Sequence, residues 1–156
     1  MTTYDLTSPI GILRITAESG RLTSIQFQNQ HGARRARYRD NDPVLKDCAR
    51  QLDEYFAGDR RSFKLPLGAA GTAFQREVWD ALVAIPYGEV RSYRDIARSI
   101  RREKAVRAVG AANGRNPLPI VVPCHRVIGA NGKLTGFAGG LEAKKLLLEL
   151  EGALPR

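Results

Sequence analysis

Between Arg60 and Gly71 the chain changes character, and that change restricts the folds open to it. The stretch "RRSFKLPLGAAG" is rich in Gly, Pro and Ala and reads as a linker. Before it, "YDLTSPIGILRITAESGRLTSIQFQ" has the look of short strands with turns at Ser8–Gly11 and Ser19–Gly20, which makes an antiparallel meander. Pro43 then opens a helix that carries Leu45, Cys48, Leu52 and Tyr55 along one face and ends near Gly58. After the linker the pattern becomes helical. Thr72 with Gln75, and Ser92 with Asp95, have the spacing of capping boxes. Two domains are expected, an α/β domain with antiparallel strands over residues 1–66 and a mostly helical one over 72–156. Asn29–Asp42 is polar, with Arg34, Arg35, Arg37 and Arg39, and reads as a solvated surface loop.

Within the second half, Phe74, Val78 and Leu82 recur every four residues beside Trp79. They form an apolar helix face that "IPYGEV" terminates, with Trp79 as a core anchor. A helix over Tyr93–Ser99, a basic turn, and a helix from about Glu103 to Asn113 stopped by Gly114 make a helix-turn-helix. Arg107, Gly110 and Ala111 share a face of the second helix, so a cation stands among residues small enough to admit a duplex closely. The excess charge is concentrated here: of a net +9, Arg91–Arg107 carries +5, with seven basic residues against two acidic. Such a stripe suits a polyanion such as DNA. A solvated helix face accounts for the charge alone equally well. "PLPIVVP" reads as a buried extended strand that leads to Cys124, and Asn131-Gly132 as a hairpin that adds a wing.

The remaining composition bounds the chemistry. The chain has 156 residues and 43% hydrophobic content, enough for a core. No apolar run approaches the roughly 18 residues of a membrane span, and "MTTYDLTSPIG" lacks the pattern of a signal peptide, so a cytoplasmic protein is expected. Two cysteines, Cys48 and Cys124, and two histidines, His31 and His125, cannot build a disulfide framework and poorly fit a four-ligand zinc site. Neither metal nor cofactor is expected. Cys48 falls on an apolar helix face and reads as core. Cys124 stands beside His125, an imidazole that could draw off its proton. In a strand, neighbours point to opposite faces, so this pair needs a turn or a bridging water to cooperate.

The segment "RAVGAANGRNPLPIVVPCHRVIGANGKLTGFAGG", with "PCHRV" at its centre, closely resembles the active-site region of the O6-alkylguanine-DNA alkyltransferases, proteins that repair DNA by direct reversal. The likeness covers Phe74–Glu151. It implies a ribonuclease H-like N-terminal domain and a C-terminal domain with a winged helix-turn-helix. It also implies irreversible, stoichiometric transfer of an alkyl group from O6-alkylguanine, and from O4-alkylthymine, to the thiol of Cys124. His125 would act through water as base, with Glu151 orienting it and Tyr93 donating to guanine N3. DNA contacts would come from Arg94, Arg107, Ala108, Gly110, Ala111 and Arg115, with Arg107 filling the space of a base flipped through the minor groove. Val127, Phe137, Ala138 and Trp79 would line the pocket, and Asn116 would tie the recognition helix to the cysteine segment. The implied partner is duplex DNA bearing the lesion, with no membrane and no obligate protein partner, the protein being a monomer that could cluster on DNA. The "GFAGG" loop departs from members with tyrosine and serine at 137 and 138, which bears on the size of alkyl group accepted. The rival readings are a non-catalytic DNA-damage sensor, against which Cys124 argues, and a thiol hydrolase, for which a helix-turn-helix has no use.

Overall fold

The computed structural model describes residues 1–31 and 42–154. The chain forms two compact units, Met1–Ala70 and Gly71–Arg156.

In the first unit, β1 (Thr2–Ser8), β2 (Gly11–Glu18) and β3 (Arg21–Gln26) form an antiparallel meander in the order β1-β2-β3. Both expected turns are present. Along β2, Leu13, Ile15 and Ala17 are buried at alternate positions, the period of a half-buried strand, with a register irregularity at Thr16/Ala17. The cross-strand pair Asp5 and Arg14 is bidentate, at 2.9 and 3.1 Å. A short helix, α1 (Gln28–His31), follows. It replaces the start of the expected polar loop, whose arginines lie outside the described residues. Helix α2 (Pro43–Phe56) starts at the N-cap Asp42, whose side chain accepts from the N–H groups of Val44 and Leu45. Its apolar face, Leu45, Cys48, Leu52 and Tyr55, is buried against the sheet. Cys48 is wholly buried, and desolvation pushes its thiol up to about 12, so it is inert.

The 60–71 stretch is not a free tether. Leu22 donates to the Pro66 carbonyl and Gly68 donates to that of Leu22, each at 2.8 Å. Gln51 both donates to the Lys64 carbonyl and accepts from its N–H at 2.9 Å. Low side-chain complexity leaves backbone groups available, and the edge of β3 takes them up.

In the second unit, α3 (Ala73–Val83) and α4 (Tyr93–Ser99) both begin with complete capping boxes, from Thr72/Gln75 and Ser92/Asp95. Trp79 packs α3 on α5 (Val106–Gly114) and donates its indole N–H to the Ala112 carbonyl at 2.9 Å. Helix α5 begins at Val106 rather than Glu103. Ala105 N–H closes a turn on Arg102 C=O, and Arg101, just before that turn, has φ 59°. Gly114 is inside α5, and Arg115 is the cap.

Residues 117–123 are the main departure from expectation. "PLPIVVP" is buried, but as a compact turn and not a strand. Pro117, Pro119 and Pro123 have no N–H to give a ladder. The segment satisfies itself instead. Val122 donates to Leu118 at 2.8 Å, Ile120 takes φ 73°, and Pro123 (φ −80°, ψ 66°) forms an inverse γ-turn in which Cys124 N–H reaches Val122 C=O. Cys124–Arg126 then forms a single 3-10 turn before β5 (Val127–Ile128). The Asn131–Gly132 turn forms, with Gly129 N–H on Lys133 C=O at 2.9 Å. Its arms do not continue as a ladder. β5 pairs in parallel with β4 (Arg91–Ser92) instead, which lashes the cysteine turn to the start of α4. Helix α6 (Leu141–Leu150) packs on the cysteine turn.

Candidate active site

Cys124, His125 and Arg126 lie within one 3-10 turn and are all buried. A turn, unlike a strand, does not send neighbouring side chains to opposite faces, so the sequence-based objection to a Cys–His pair does not apply. The His125 ring has no exposed surface, and its Nε2 is 2.7 Å from Glu151 Oε2. Burial lowers its pKa below the ordinary 6.5, outweighing the pull of Glu151, so the ring is neutral. A carboxylate only accepts, so Nε2 carries the proton and donates to Glu151. The lone pair is therefore on Nδ1, and among the described residues that buried atom has no hydrogen-bond partner. A neutral imidazole with an open acceptor nitrogen is able to take up a proton.

Glu151 caps α6 and is buried. A carboxylate at a helix C-terminus opposes the macrodipole unless it is paired, and Glu151 has two partners, His125 and Arg126. Arg126 donates from Nε to Oε1 at 2.8 Å and from Nη2 to Oε2 at 3.1 Å, and from Nη1 to the Ile85 carbonyl at 2.8 Å. This guanidinium holds the carboxylate, which in turn holds the imidazole.

Burial pushes the Cys124 thiol up to about 11, against the pull of the Asn116 side chain, the Lys144 ammonium and the backbone. The resting thiol is protonated and its proton has to be taken by a base. Asn116 follows α5; its Nδ2 donates to Val122 C=O at 2.8 Å and its Oδ1 accepts from Leu118 N–H at 3.0 Å. It thereby staples the buried turn that delivers the cysteine.

Lys144 was not found from sequence. It is wholly buried on α6, and its ammonium donates to the carbonyls of Val127 at 2.7 Å and Thr135 at 2.9 Å. Desolvation lowers its pKa to about 8, partly offset by Cys124. A signal existed: Lys144 lies on the same helical stripe as Leu147, Leu148 and Glu151, the buried face of α6. Arg126 and Thr135 were missed too, since neither role is local in sequence.

The other expected site residues separate into groups. Arg94, Arg107, Ala108, Ala111 and Arg115 are exposed, the last four along one face of α5. Gly110 is half-buried and faces inward: an added Cβ would be 3.8 Å from the Tyr93 ring. Tyr93 begins α4 and its hydroxyl is 2.7 Å from that of Thr135. Val127 is buried, Phe137 is half-buried and Ala138 exposed. Trp79, read as core anchor and as pocket wall, is buried with its N–H engaged in the helix packing. Among the described residues no group of three or more His, Cys, Asp or Glu could hold a metal ion, and no helix is long and apolar enough to cross a membrane.

Comparison with known proteins agrees with this arrangement. Residues 73–153 match the family model of the 6-O-methylguanine DNA methyltransferase DNA binding domain, and residues 1–69 that of its ribonuclease-like domain. A methylated-DNA–protein-cysteine methyltransferase from Methanosarcina acetivorans is 49% identical over 150 residues, covering 94% of this chain and 95% of the relative. The constitutive enzyme of that name from Bacillus subtilis is 48% identical over 151 residues, covering 92% and 91%. The structure is similar to that of Mycobacterium tuberculosis OGT in complex with DNA, with a TM-score of 0.87 at 45% identity over 97% of this chain and 93% of that one. A ribonuclease-like meander, a helical DNA-binding domain and a buried Cys-His-Arg turn tied to Glu151 thus occur in a chain that matches both domain models, over residues 1–69 and 73–153, and it belongs to the 6-O-methylguanine DNA methyltransferase family.

Proposed function

We propose that the chain is a methylated-DNA–protein-cysteine methyltransferase that repairs O6-alkylguanine in duplex DNA by direct reversal. The observation that carries this reading is the neutral His125 ring, pinned through Nε2 by Glu151 with its Nδ1 acceptor unpartnered, next to the buried Cys124. The Cys124 sulfur attacks the alkyl carbon, an S–C bond forms and the C–O6 bond breaks. The thiol proton passes through water to His125, and the departing guanine takes up a proton at N3 from Tyr93, whose phenolate is reprotonated from solvent as His125 gives its proton up. A buried site favours this transfer, because a fixed imidazole and ammonium act there with little screening by bulk solvent.

The target atom is inside the double helix, so the nucleotide must leave the stack. The exposed face of α5, with Arg107, Ala108, Ala111 and Arg115, supports insertion of Arg107 from the minor groove. Arg94 on α4 supports a phosphate contact. A thioether has no easily expelled group, so each chain accepts one alkyl group. Cys48, inert in the other unit, offers no second acceptor.

Mixing the protein with excess O6-methylguanine duplex and weighing it by mass spectrometry tests the reading. One added methyl on Cys124 is expected, and none after Cys124→Ser. Binding without an adduct would make the chain a damage sensor instead. Repair of many lesions per chain would exclude a stoichiometric acceptor.

A further inference from the structure

Tyr93 is held at two points. Its ring is next to Gly110 of α5, and its hydroxyl is 2.7 Å from Thr135 Oγ1. Thr135 is itself anchored, because its carbonyl accepts from the buried Lys144 ammonium at 2.9 Å. The same ammonium donates at 2.7 Å to Val127 C=O, three residues past Cys124. One cation therefore fixes the loop arm bearing Thr135 and the strand beside the thiol, and Thr135 carries that order to Tyr93.

We propose that Thr135 is a positioning residue for alkyl transfer, its hydroxyl donating to Tyr93 Oη so that the phenolic proton is free to point at the departing base. This rests on the reading above, in which Tyr93 is a proton or hydrogen-bond donor. A phenol has a single proton. Spent on Thr135, it would leave nothing for guanine N3; received from Thr135, the bond also stabilises negative charge that builds on Oη as its own proton moves away. Only the second polarity is productive. The side chain suits the task, since a half-buried threonine has one rotor hydroxyl that can turn its proton toward the phenol.

The test uses the full chain and the free base O6-benzylguanine, following the Cys124 adduct by mass spectrometry against time. Thr135→Val keeps the shape and deletes the donor. It is expected to slow transfer about three- to tenfold, the range of one hydrogen bond of ordinary strength, and Thr135→Ser to restore the wild-type rate. Tyr93→Phe should be slow, and adding Thr135→Val to it should slow it no further. A loosened loop would give a different pattern, with the valine cost persisting in the phenylalanine background and serine rescuing poorly. That pattern, or a Thr135→Val chain as fast as wild type, would overturn the proposal. A wild-type chain that forms no adduct would instead overturn the parent reading and this inference with it.

Discussion

Glu151 accepts from His125 and twice from Arg126 while almost wholly buried, so its charge serves two partners at once. Glu151→Gln keeps the shape but leaves the Arg126 guanidinium as a buried cation without its counter-charge. Breaking a buried pair on one side costs about 3–5 kcal/mol, so the variant should melt well below wild type. Glu151→Gln combined with Arg126→Met should recover much of that stability in thermal denaturation while transfer stays slow, because the His125 tautomer is still unset. Recovery of both would make the carboxylate purely structural. The imidazole also sets an acid limit. Its folded pKa lies below the ordinary 6.5, so the neutral ring contributes stability that is fully present above 6.5 and is lost as pH falls through the lower folded value. Transfer to O6-benzylguanine should follow the same ring and persist below pH 6.5. An acid limb centred at 6.5 or higher in the rate–pH profile would show that His125 is not the neutral base.

At the scale of elements, the cysteine turn and the first turn of α4 are set side by side by the β4–β5 pair, and Ser92 both ends β4 and caps α4. Thr72 caps α3 in the same chemical manner but belongs to neither strand of the β4–β5 pair. Ser92→Ala and Thr72→Ala should each cost about 1 kcal/mol of stability, seen in denaturation. Only the first should also slow alkyl transfer, because it disturbs the turn that carries Tyr93. Equal rates in the two variants would separate α4 capping from catalysis. The capping boxes were legible in the sequence because their partners are three residues apart, and the α2 face because its period is local. The same holds for the two turns of the meander. Residues 117–123 were misread: a β-branched run favours a strand only where a ladder is available, and three prolines together with the Asn116 staple made the chain close on itself. Lys144 and Arg126 were passed over because a cation in a run of sequence reads as solvated, and only the folded site supplies the carbonyls and carboxylate that bury it. Cys124, His125 and Glu151 were reached through a resemblance, and their geometry then provided a physical reason for each.

At the scale of the whole molecule, the net charge of +9 governs how the chain meets DNA. More than half of it lies in Arg91–Arg107, and Arg94, Arg98 and Arg107 are all exposed there. Each phosphate neutralised releases counterions, so the logarithm of the binding constant should fall with the logarithm of salt by about 0.9 per contact. An arginine that holds a phosphate and one that fills a vacated base stack respond differently to removal. Arg94→Ala should weaken binding to any duplex, lesion or not, and flatten the salt slope by about one unit. Arg107→Ala should mainly slow repair of a paired O6-methylguanine, since a flipped nucleotide falls back into an unfilled stack. The free base O6-benzylguanine has no stack to leave, so its reaction with Cys124 should be nearly unchanged by the loss of Arg107. Filter binding over a salt series, with repair rates on duplex and free base in parallel, separates the two roles. If Arg107→Ala slows both substrates equally, its side chain acts on the chemistry or the fold, and flipping would have to be assigned to another residue on the exposed face of α5.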